Sequence, residues 1–169
     1  MIEQFRMFAS YNQWANRAVY DAAETLSEEE YRCDRGAFFG SLHGTLNHLL
    51  SADRIWLRRF TGWGDAPFAL NVILYDDLAS LRAAREAEDR RIIDFVDGLD
   101  GEKLAQPFSY TPITNPVEIR HALGAALTHV FNHQTHHRGQ CHTILTSLGK
   151  PSLTLDLIYF LRTEGQRWL

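Results

Sequence analysis

Along four long stretches of the sequence, apolar residues recur with the 3.6-residue period of an α-helix, and this pattern restricts the fold more than any other feature. In the first stretch, for example, Tyr11, Trp14 and Ala18 fall on one face of the predicted helix. The four stretches cover residues 2–26, 41–60, 76–98 and 121–148. Amphipathic helices bury their apolar faces against one another, so we predict an all-α protein built on a four-helix bundle.

Capping residues mark where several of these helices begin and end. Ser41 is a predicted N-cap of the second helix, because its hydroxyl can accept a hydrogen bond from the first turn. Gly149 followed by Pro151 is a stop signal for the fourth helix. The Ser-Glu-Glu-Glu sequence at residues 27–30 resembles a capping box that begins a short turn.

Two smaller elements accompany the four long helices. Residues 106–120 contain β-branched and aromatic residues around Thr-Pro and Asn-Pro turn signals, which favours a short hairpin-like loop. Residues 155–168 are predicted to form an extra C-terminal helix. The chain has the length of one domain and contains no repeat or low-complexity tract, so we predict a single domain over residues 1–169.

Charge and cysteine content exclude several classes of protein. The 17 Lys and Arg are outnumbered by 21 Asp and Glu, and a formal charge of −4 argues against nucleic-acid binding, which requires a basic surface. No apolar run is long enough to span a membrane, and Glu3, Arg6 and Arg17 interrupt any signal peptide. Two distant cysteines, Cys33 and Cys141, cannot build a disulfide framework, so we predict a cytoplasmic protein.

The fourth predicted helix holds most of the histidines, and two of them share a face. His133 and His137 are four residues apart, which places their imidazoles one turn apart on one side of the helix. This spacing alone is a weak signal, because His129 and His133 have it as well. His137 lies in the middle of the apolar stripe and His133 at its edge, so this pair is the one expected to face the bundle interior.

A metal ion needs at least one more ligand, and the second predicted helix supplies two candidates. His48 lies beside the apolar stripe of that helix, in the same sector as Ala52 and Ile55, where a neighbouring helix can cover it. His43 lies near the helix start and outside the stripe. Imidazole is a common ligand of divalent transition metals, and bundle cores are a usual place for such sites.

Two segments of the chain resemble the DinB/YfiT family of DNA-damage-inducible helical bundles. They are LNHLLSADRIWLRRF at residues 46–60 and HVFNHQTHHRGQ at residues 129–140. The resemblance extends over nearly the whole chain and implies an up-down-down-up four-helix bundle with a three-histidine site for one divalent metal. Carried over by position in the two segments, the implied ligands are His48, His133 and His137. It implies nickel or zinc as the metal, with iron or manganese as further candidates.

Three histidine ligands leave a position on the metal open, and this allows three functional hypotheses. The first is a metal-dependent enzyme that resembles a thiol S-transferase or a hydrolase, because bacillithiol S-transferases and a mycothiol-dependent isomerase share the bundle of this family. Its substrate would be a small molecule such as a thiol conjugate. The second is a non-catalytic, metal-binding stress-response protein, and the third is a helical protein whose histidines bind nothing. The resemblance also implies a homodimer.

Two residues on the inward face of the fourth helix have alternative roles. Cys141 lies one turn beyond His137 and is either a metal or redox group or a small buried apolar residue. Gln134 also points inward and is a candidate for orienting a bound water.

Charged residues on the apolar stripes of two helices are candidates for buried interactions. Asp53 either accepts a hydrogen bond from an imidazole or from Arg138, which would tune the site, or belongs to a structural salt bridge. Arg85 and Glu88 lie three residues apart on the third helix and can form a weak intrahelical pair.

Overall fold

The computed structural model describes residues 1–113 and 115–169; Thr114, within the predicted hairpin segment, lies outside the described residues. Most of the described chain is helical, as predicted. The elements in chain order are α1 (Ile2–Ala23), α2 (Glu28–Arg32), α3 (Leu42–Thr61), α4 (Leu78–Asp97), α5 (Gly101–Ala105), β1 (Pro107–Tyr110), β2 (Ile119–Ala122), α6 (Leu123–Ser147), α7 (Leu157–Arg162) and a 3-10 turn at Gln166–Trp168.

The four long helices α1, α3, α4 and α6 form a bundle in which α1 and α3 lie on opposite corners, each beside α4 and α6. One apolar cluster joins the start of α1 and of α6 to the ends of α3 and α4. A second cluster joins the end of α1 and of α6 to the starts of α3 and α4. Helices α1 and α6 therefore run one way and α3 and α4 the other, which is the predicted up-down-down-up order.

Local capping interactions explain where the helices begin. The Ser41 hydroxyl accepts a hydrogen bond from the Gly44 N–H at the start of α3. Ser27 and Glu30 form a complete capping box at α2, and this short helix follows the predicted turn. Helix α3 ends at Gly62, whose φ of 79° is a left-handed conformation that glycine adopts without strain.

The segment between α3 and α4 contributes to the candidate site. Because α3 and α4 run in the same direction, residues 62–77 must return along the length of the bundle before α4 can start at its Asp77 N-cap. The return segment passes over α3, and Asn47 of that helix holds it. The backbone N–H groups of Leu74 and Tyr75 donate hydrogen bonds to Asn47 Oδ1, and Asn47 Nδ2 donates to the Tyr75 carbonyl. Part of this segment consequently lies against His48.

A two-stranded antiparallel hairpin replaces the start of the fourth predicted helix. Phe108 lies opposite His121 in the register of β1 and β2. The prediction that the helix begins at residue 121 was therefore wrong by two residues, because His121 and Ala122 extend a strand. The hairpin-like loop predicted for residues 106–120 is present in the described part.

The predicted C-terminal helix over residues 155–168 is broken into two parts. Helix α7 ends at Arg162, and the chain turns at Gly165, where an added Cβ would lie 2.6 Å from the Phe160 ring. This turn lets Phe160 contact Trp14 and Trp168 together, with ring centroids 5.7 Å away in each case. Packing on α1 therefore overrides the continuous helical pattern. Within the described part, the helices are all too short or too polar to cross a membrane.

Candidate metal centre

Helices α3 and α6 are neighbours in the bundle, and this brings together the three histidines that the sequence selected. His133 and His137 extend from successive turns of α6, and His48 faces them from α3. One ligand nitrogen from each of the three lies within 4.8 Å of the others. His48 and His137 are buried, and His133 is half-buried. The structure therefore contains a three-histidine cluster that could hold a metal ion.

His48 is held in one orientation from two sides. Its Nδ1–H donates a hydrogen bond of 2.8 Å to the Leu70 carbonyl in the return segment. Because a carbonyl can only accept, this bond fixes the proton on Nδ1 and leaves the lone pair on Nε2. The Phe39 ring stacks on the imidazole with centroids 3.8 Å apart and a 19° angle between planes. His48 therefore presents Nε2 to the cluster before any ion is bound.

His137 is oriented by a residue one turn further along its own helix. Its Nδ1 lies 2.7 Å from the Oε1 atom of Gln140, to which it donates its proton. The Gln140 amide nitrogen lies 3.4 Å from His136 Nε2, a contact that holds the amide in this orientation. A hydrogen bond from the outer nitrogen of a histidine ligand fixes its tautomer and raises its basicity. Gln140 consequently leaves His137 Nε2 free as a donor to a metal.

The separation of the ring nitrogens fits a common ion. His48 Nε2 and His133 Nε2 are 3.2 Å apart. In a tetrahedral zinc site with bonds of about 2.0–2.1 Å, two ligand nitrogens are about 3.3 Å apart. With both lone pairs directed at one point, these atoms would repel each other unless a proton or a cation lies between them. The donor set and the spacing of this pair of nitrogens therefore fit a divalent transition metal.

The protonation state of the three imidazoles also suits metal binding. Burial lowers the pKa of His48 and of His137 below the ordinary value for histidine. The pKa of His133 is lowered to about 3, by burial and by the other imidazoles around it. All three are therefore neutral near pH 7, and neutral imidazole is the form that binds metals.

A surface cavity of about 400 Å³ lies between the 35–38 loop and the outer face of α6, and none of the three clustered histidines lines it. Gln140, which orients His137, borders it, and so does His136. The opposite wall contains the Arg35 side chain and the 83% exposed ring of Phe38. Gln140 therefore connects this partly cationic cavity to His137.

The rival histidines lie outside the cluster. His43 is buried, its Nε2 is 3.2 Å from the Tyr75 carbonyl, and its ring packs against Tyr31. His129 is exposed and packs on Trp56, with centroids 5.0 Å apart. Each is therefore occupied by contacts of its own.

The charged residues on the helix stripes form structural ion pairs. Asp53 lies 2.7 Å from Arg85, which supports the structural alternative for Asp53. The predicted pair of Arg85 with Glu88 was wrong, because Arg85 turns toward Asp53 and Asp89, whereas Glu88 binds Arg91. The reason is that Arg85 has two buried carboxylates within reach, Asp89 one turn along α4 and Asp53 on the neighbouring helix α3.

The other inward residues of α6 have structural surroundings. Cys141 is fully buried in an apolar cluster with Leu46, Leu145 and others, as expected of a small apolar residue. Gln134 is also fully buried, and its amide donates to the Leu49 carbonyl of α3 at 3.3 Å. Arg138 is buried and contacts α1 instead of Asp53.

Sequence reasoning missed three contributors to the site. The Leu70 carbonyl and the Phe39 ring come from irregular segments, for which periodicity carries no information. Gln140 could have been found, because it follows His137 by three residues and side chains with this spacing meet on a helix.

Comparison with known proteins agrees with the geometry. The sequence profile of the DinB family matches residues 1–168. Protein DinB of Bacillus subtilis (strain 168) is 27% identical over 177 aligned positions, which cover 96% of each chain. The matched range spans all four long helices. The chain therefore belongs to the DinB family.

Proposed function

We propose that this protein is a metal-dependent enzyme that acts on a small molecule, with His48, His133 and His137 as the ligands of one divalent ion. The observation that carries the proposal is the convergence of three neutral imidazoles from two helices, one of which is oriented by a residue that borders a surface cavity. Three protein ligands are typical of catalytic sites, whereas structural sites use four. When bound, the ion supplies Lewis acidity to a substrate thiol, carbonyl or water.

The residues around the cluster have separable roles in this proposal. Leu70 and Gln140 hold two of the imidazoles in the tautomer that binds metal. Phe39 covers one face of His48 and keeps water from it. Arg35 offers a cationic group on the cavity wall for an anionic part of the substrate. We infer a thiol S-transferase-like or hydrolase-like reaction, with a thiol conjugate as the substrate class.

Nickel and zinc are the ions we favour, and iron and manganese are the next candidates. Imidazole ligands suit nickel, zinc and iron, and the choice among them depends on geometry and on availability in the cell. The 3.2 Å separation of the His48 and His133 nitrogens supports a small ion with short bonds.

Elemental analysis of untagged protein tests the metal site. We expect about one equivalent of one transition metal in the wild type and a loss of most of it in His137→Ala. His142→Ala is the matched control, because His142 is on the same helix but its Nε2 binds Ser152, and this variant should retain the metal. A full metal equivalent in His137→Ala would show that the ligand assignment is wrong.

Activity measurements test the catalytic part of the proposal. Metal-loaded protein is assayed with thiol-transfer substrates and with ester and amide hydrolase substrates, and the same assays are repeated with His137→Ala and His142→Ala. We expect turnover that follows metal content across the three proteins. Metal binding with no turnover on any of these substrates would support a non-catalytic, metal-binding stress-response protein instead.

One observation favours that second function. Among the described residues around the cavity there is no Asp or Glu, so His136 is the candidate for a general base there and no carboxylate can assist it. A protein that stores or senses a metal would need the ligands but not a base. Turnover in the assays above decides between the two functions.

We also propose that the protein works in the cytoplasm and forms a homodimer. Support for the cytoplasm comes from the free thiols of Cys33 and Cys141, which suit a reducing compartment. The dimer rests on the family resemblance. Light scattering of the purified protein measures the assembly directly.

A further inference from the structure

A second cavity, of about 360 Å³, lies between α1 and α6 at the start of α7. Its walls are mainly apolar, formed by the rings of Phe8, Tyr11 and Phe131 and by the side chain of Leu157. None of the three clustered histidines borders it. Its volume is at the small end of the range for pockets that bind small molecules.

A buried cation borders this apolar cavity. Arg138 is 2% exposed, and no carboxylate of the described residues lies within 4.0 Å of its guanidinium. Its Nη1 atom contacts the side-chain oxygens of Asn12, Asn16 and Gln134. Its Nη2 atom has one contact, at 3.4 Å, to the Thr135 hydroxyl, and its Nε atom is buried with no hydrogen-bond partner.

The unsatisfied edge of Arg138 is unusual for a buried charge. Buried guanidinium groups are normally paired with a carboxylate, because desolvation of an unpaired charge is costly. Asp89 is the next acid inward, but it lies 3.0 Å from Arg85, and the amides of Asn12 and Asn16 separate it from Arg138. On the Nε–Nη2 edge, Nη2 has only the long contact to the Thr135 hydroxyl and Nε has no acceptor. The Tyr11 ring, 5.3 Å from the guanidinium carbon, is the other group against this charge.

We propose that this cavity binds a small carboxylate with an apolar tail. The carboxylate would accept hydrogen bonds from the Nε–Nη2 edge of Arg138, an arrangement that suits the planar guanidinium. The Thr135 hydroxyl would not donate to it, because its proton is already donated to the Phe131 carbonyl. The tail would lie against Phe8, Phe131 and Leu157. This ligand supplies the two features that the cavity lacks, a negative charge at the arginine and apolar atoms between the aromatic walls.

An acidic residue that lines the cavity is expected to affect which carboxylates bind there. Asp156 is exposed and is one of the residues that line the cavity. A second carboxylate on the ligand would be repelled by Asp156, so the site should prefer monocarboxylates to dicarboxylates.

Titration calorimetry with octanoate, octanamide and octanedioate tests the proposal on the full-length, metal-loaded protein. We expect octanoate to bind and the isosteric amide to bind about tenfold more weakly or worse, because the amide carries no charge to pair with Arg138. Asp156→Asn should improve binding of octanedioate and leave octanoate unchanged. Equal affinities for octanoate and octanamide, or no octanoate binding at millimolar concentration, would overturn the proposal.

A matched pair of variants locates the binding. Thr128→Trp places a bulky ring on the cavity wall, and Thr128 is exposed, so the fold should tolerate it. Thr146→Trp is the control, because Thr146 is also exposed on α6 but away from the cavity. We expect octanoate binding to be lost only in Thr128→Trp, with the metal content of both variants unchanged. Equal binding by both variants would show that octanoate binds elsewhere and would refute the site.

Discussion

The Nε2 atoms of His48 and His133 are 3.2 Å apart, although 85 positions separate the two residues in the sequence. One atom belongs to α3 and the other to α6, so the cluster forms only when these two helices are packed in the native register. An ion bound there is bound by the folded protein and much less by the unfolded chain. Folding and metal binding should therefore stabilise each other.

Metal loading is expected to raise the free energy of unfolding. At a free metal concentration one hundred times the dissociation constant, the gain is about 2.7 kcal/mol. Thermal unfolding of the wild type with metal and with chelator measures it. The His48→Ala variant should show no difference between the two conditions, and an unchanged difference in that variant would contradict the coupling.

Gln140 is expected to control metal affinity without touching the metal. In Gln140→Met the Nδ1–H of His137 loses its acceptor, so the orientation of the imidazole is no longer fixed. Loss of such a supporting hydrogen bond typically weakens metal binding about 10–100-fold. Competition with a chromogenic chelator measures the affinity. Gln166→Met, an exposed glutamine at the C-terminus, is the control and should bind metal as tightly as the wild type.

Adjacent phenylalanines offer a second matched comparison. Phe39 stacks on His48, whereas the neighbouring Phe38 is 83% exposed and borders the cavity. We expect Phe39→Leu to weaken metal binding, because the imidazole gains freedom to rotate. Phe38→Leu should leave metal affinity unchanged and raise KM for a substrate bound in the cavity. Equal effects of both substitutions on metal affinity would argue against a positioning role for Phe39.

Arg85 should matter far more to stability than its neighbour Arg82. Arg85→Met leaves the buried carboxylates Asp53 and Asp89 without their cation, a change that typically costs about 3–5 kcal/mol. Arg82 also pairs with several acids, but these are exposed and solvent screens them. Arg82→Met should therefore cost about 1 kcal/mol or less. Chemical denaturation of the two variants measures the difference, and similar losses would contradict it.

The two cysteines should differ in reactivity. Burial raises the pKa of Cys141 to about 12, so at pH 8 its thiol is protonated and the reactive thiolate is scarce. Cys33 is partly exposed, and its sulfur accepts a hydrogen bond from Arg35 at 3.2 Å. We expect a disulfide reagent to modify one thiol in the native protein and two in denaturant. Cys33→Ser should show no rapid reaction, and a fast reaction of that variant would place Cys141 nearer the surface.

Much of the bundle and of the candidate site follows from short-range patterns. The helices could be predicted because periodicity and capping act over a few residues, as the Ser41 cap and the Ser27 capping box show. The boundaries that differ from prediction lie where other contacts compete. His121 joins a strand, and the chain turns at Gly165 to pack its last aromatic residue beside Phe160.

By itself, the sequence determined the helical class of the protein and the local geometry of His133 and His137, because both depend on the 3.6-residue period of one segment. Only the tertiary structure decided which groups complete the site: the Leu70 carbonyl, the Phe39 ring and the partners of Arg85. These contacts join distant segments, and they depend on how each helix is rotated and shifted in the bundle. The packing of the whole core sets that rotation, and it cannot be predicted from any single segment of the sequence.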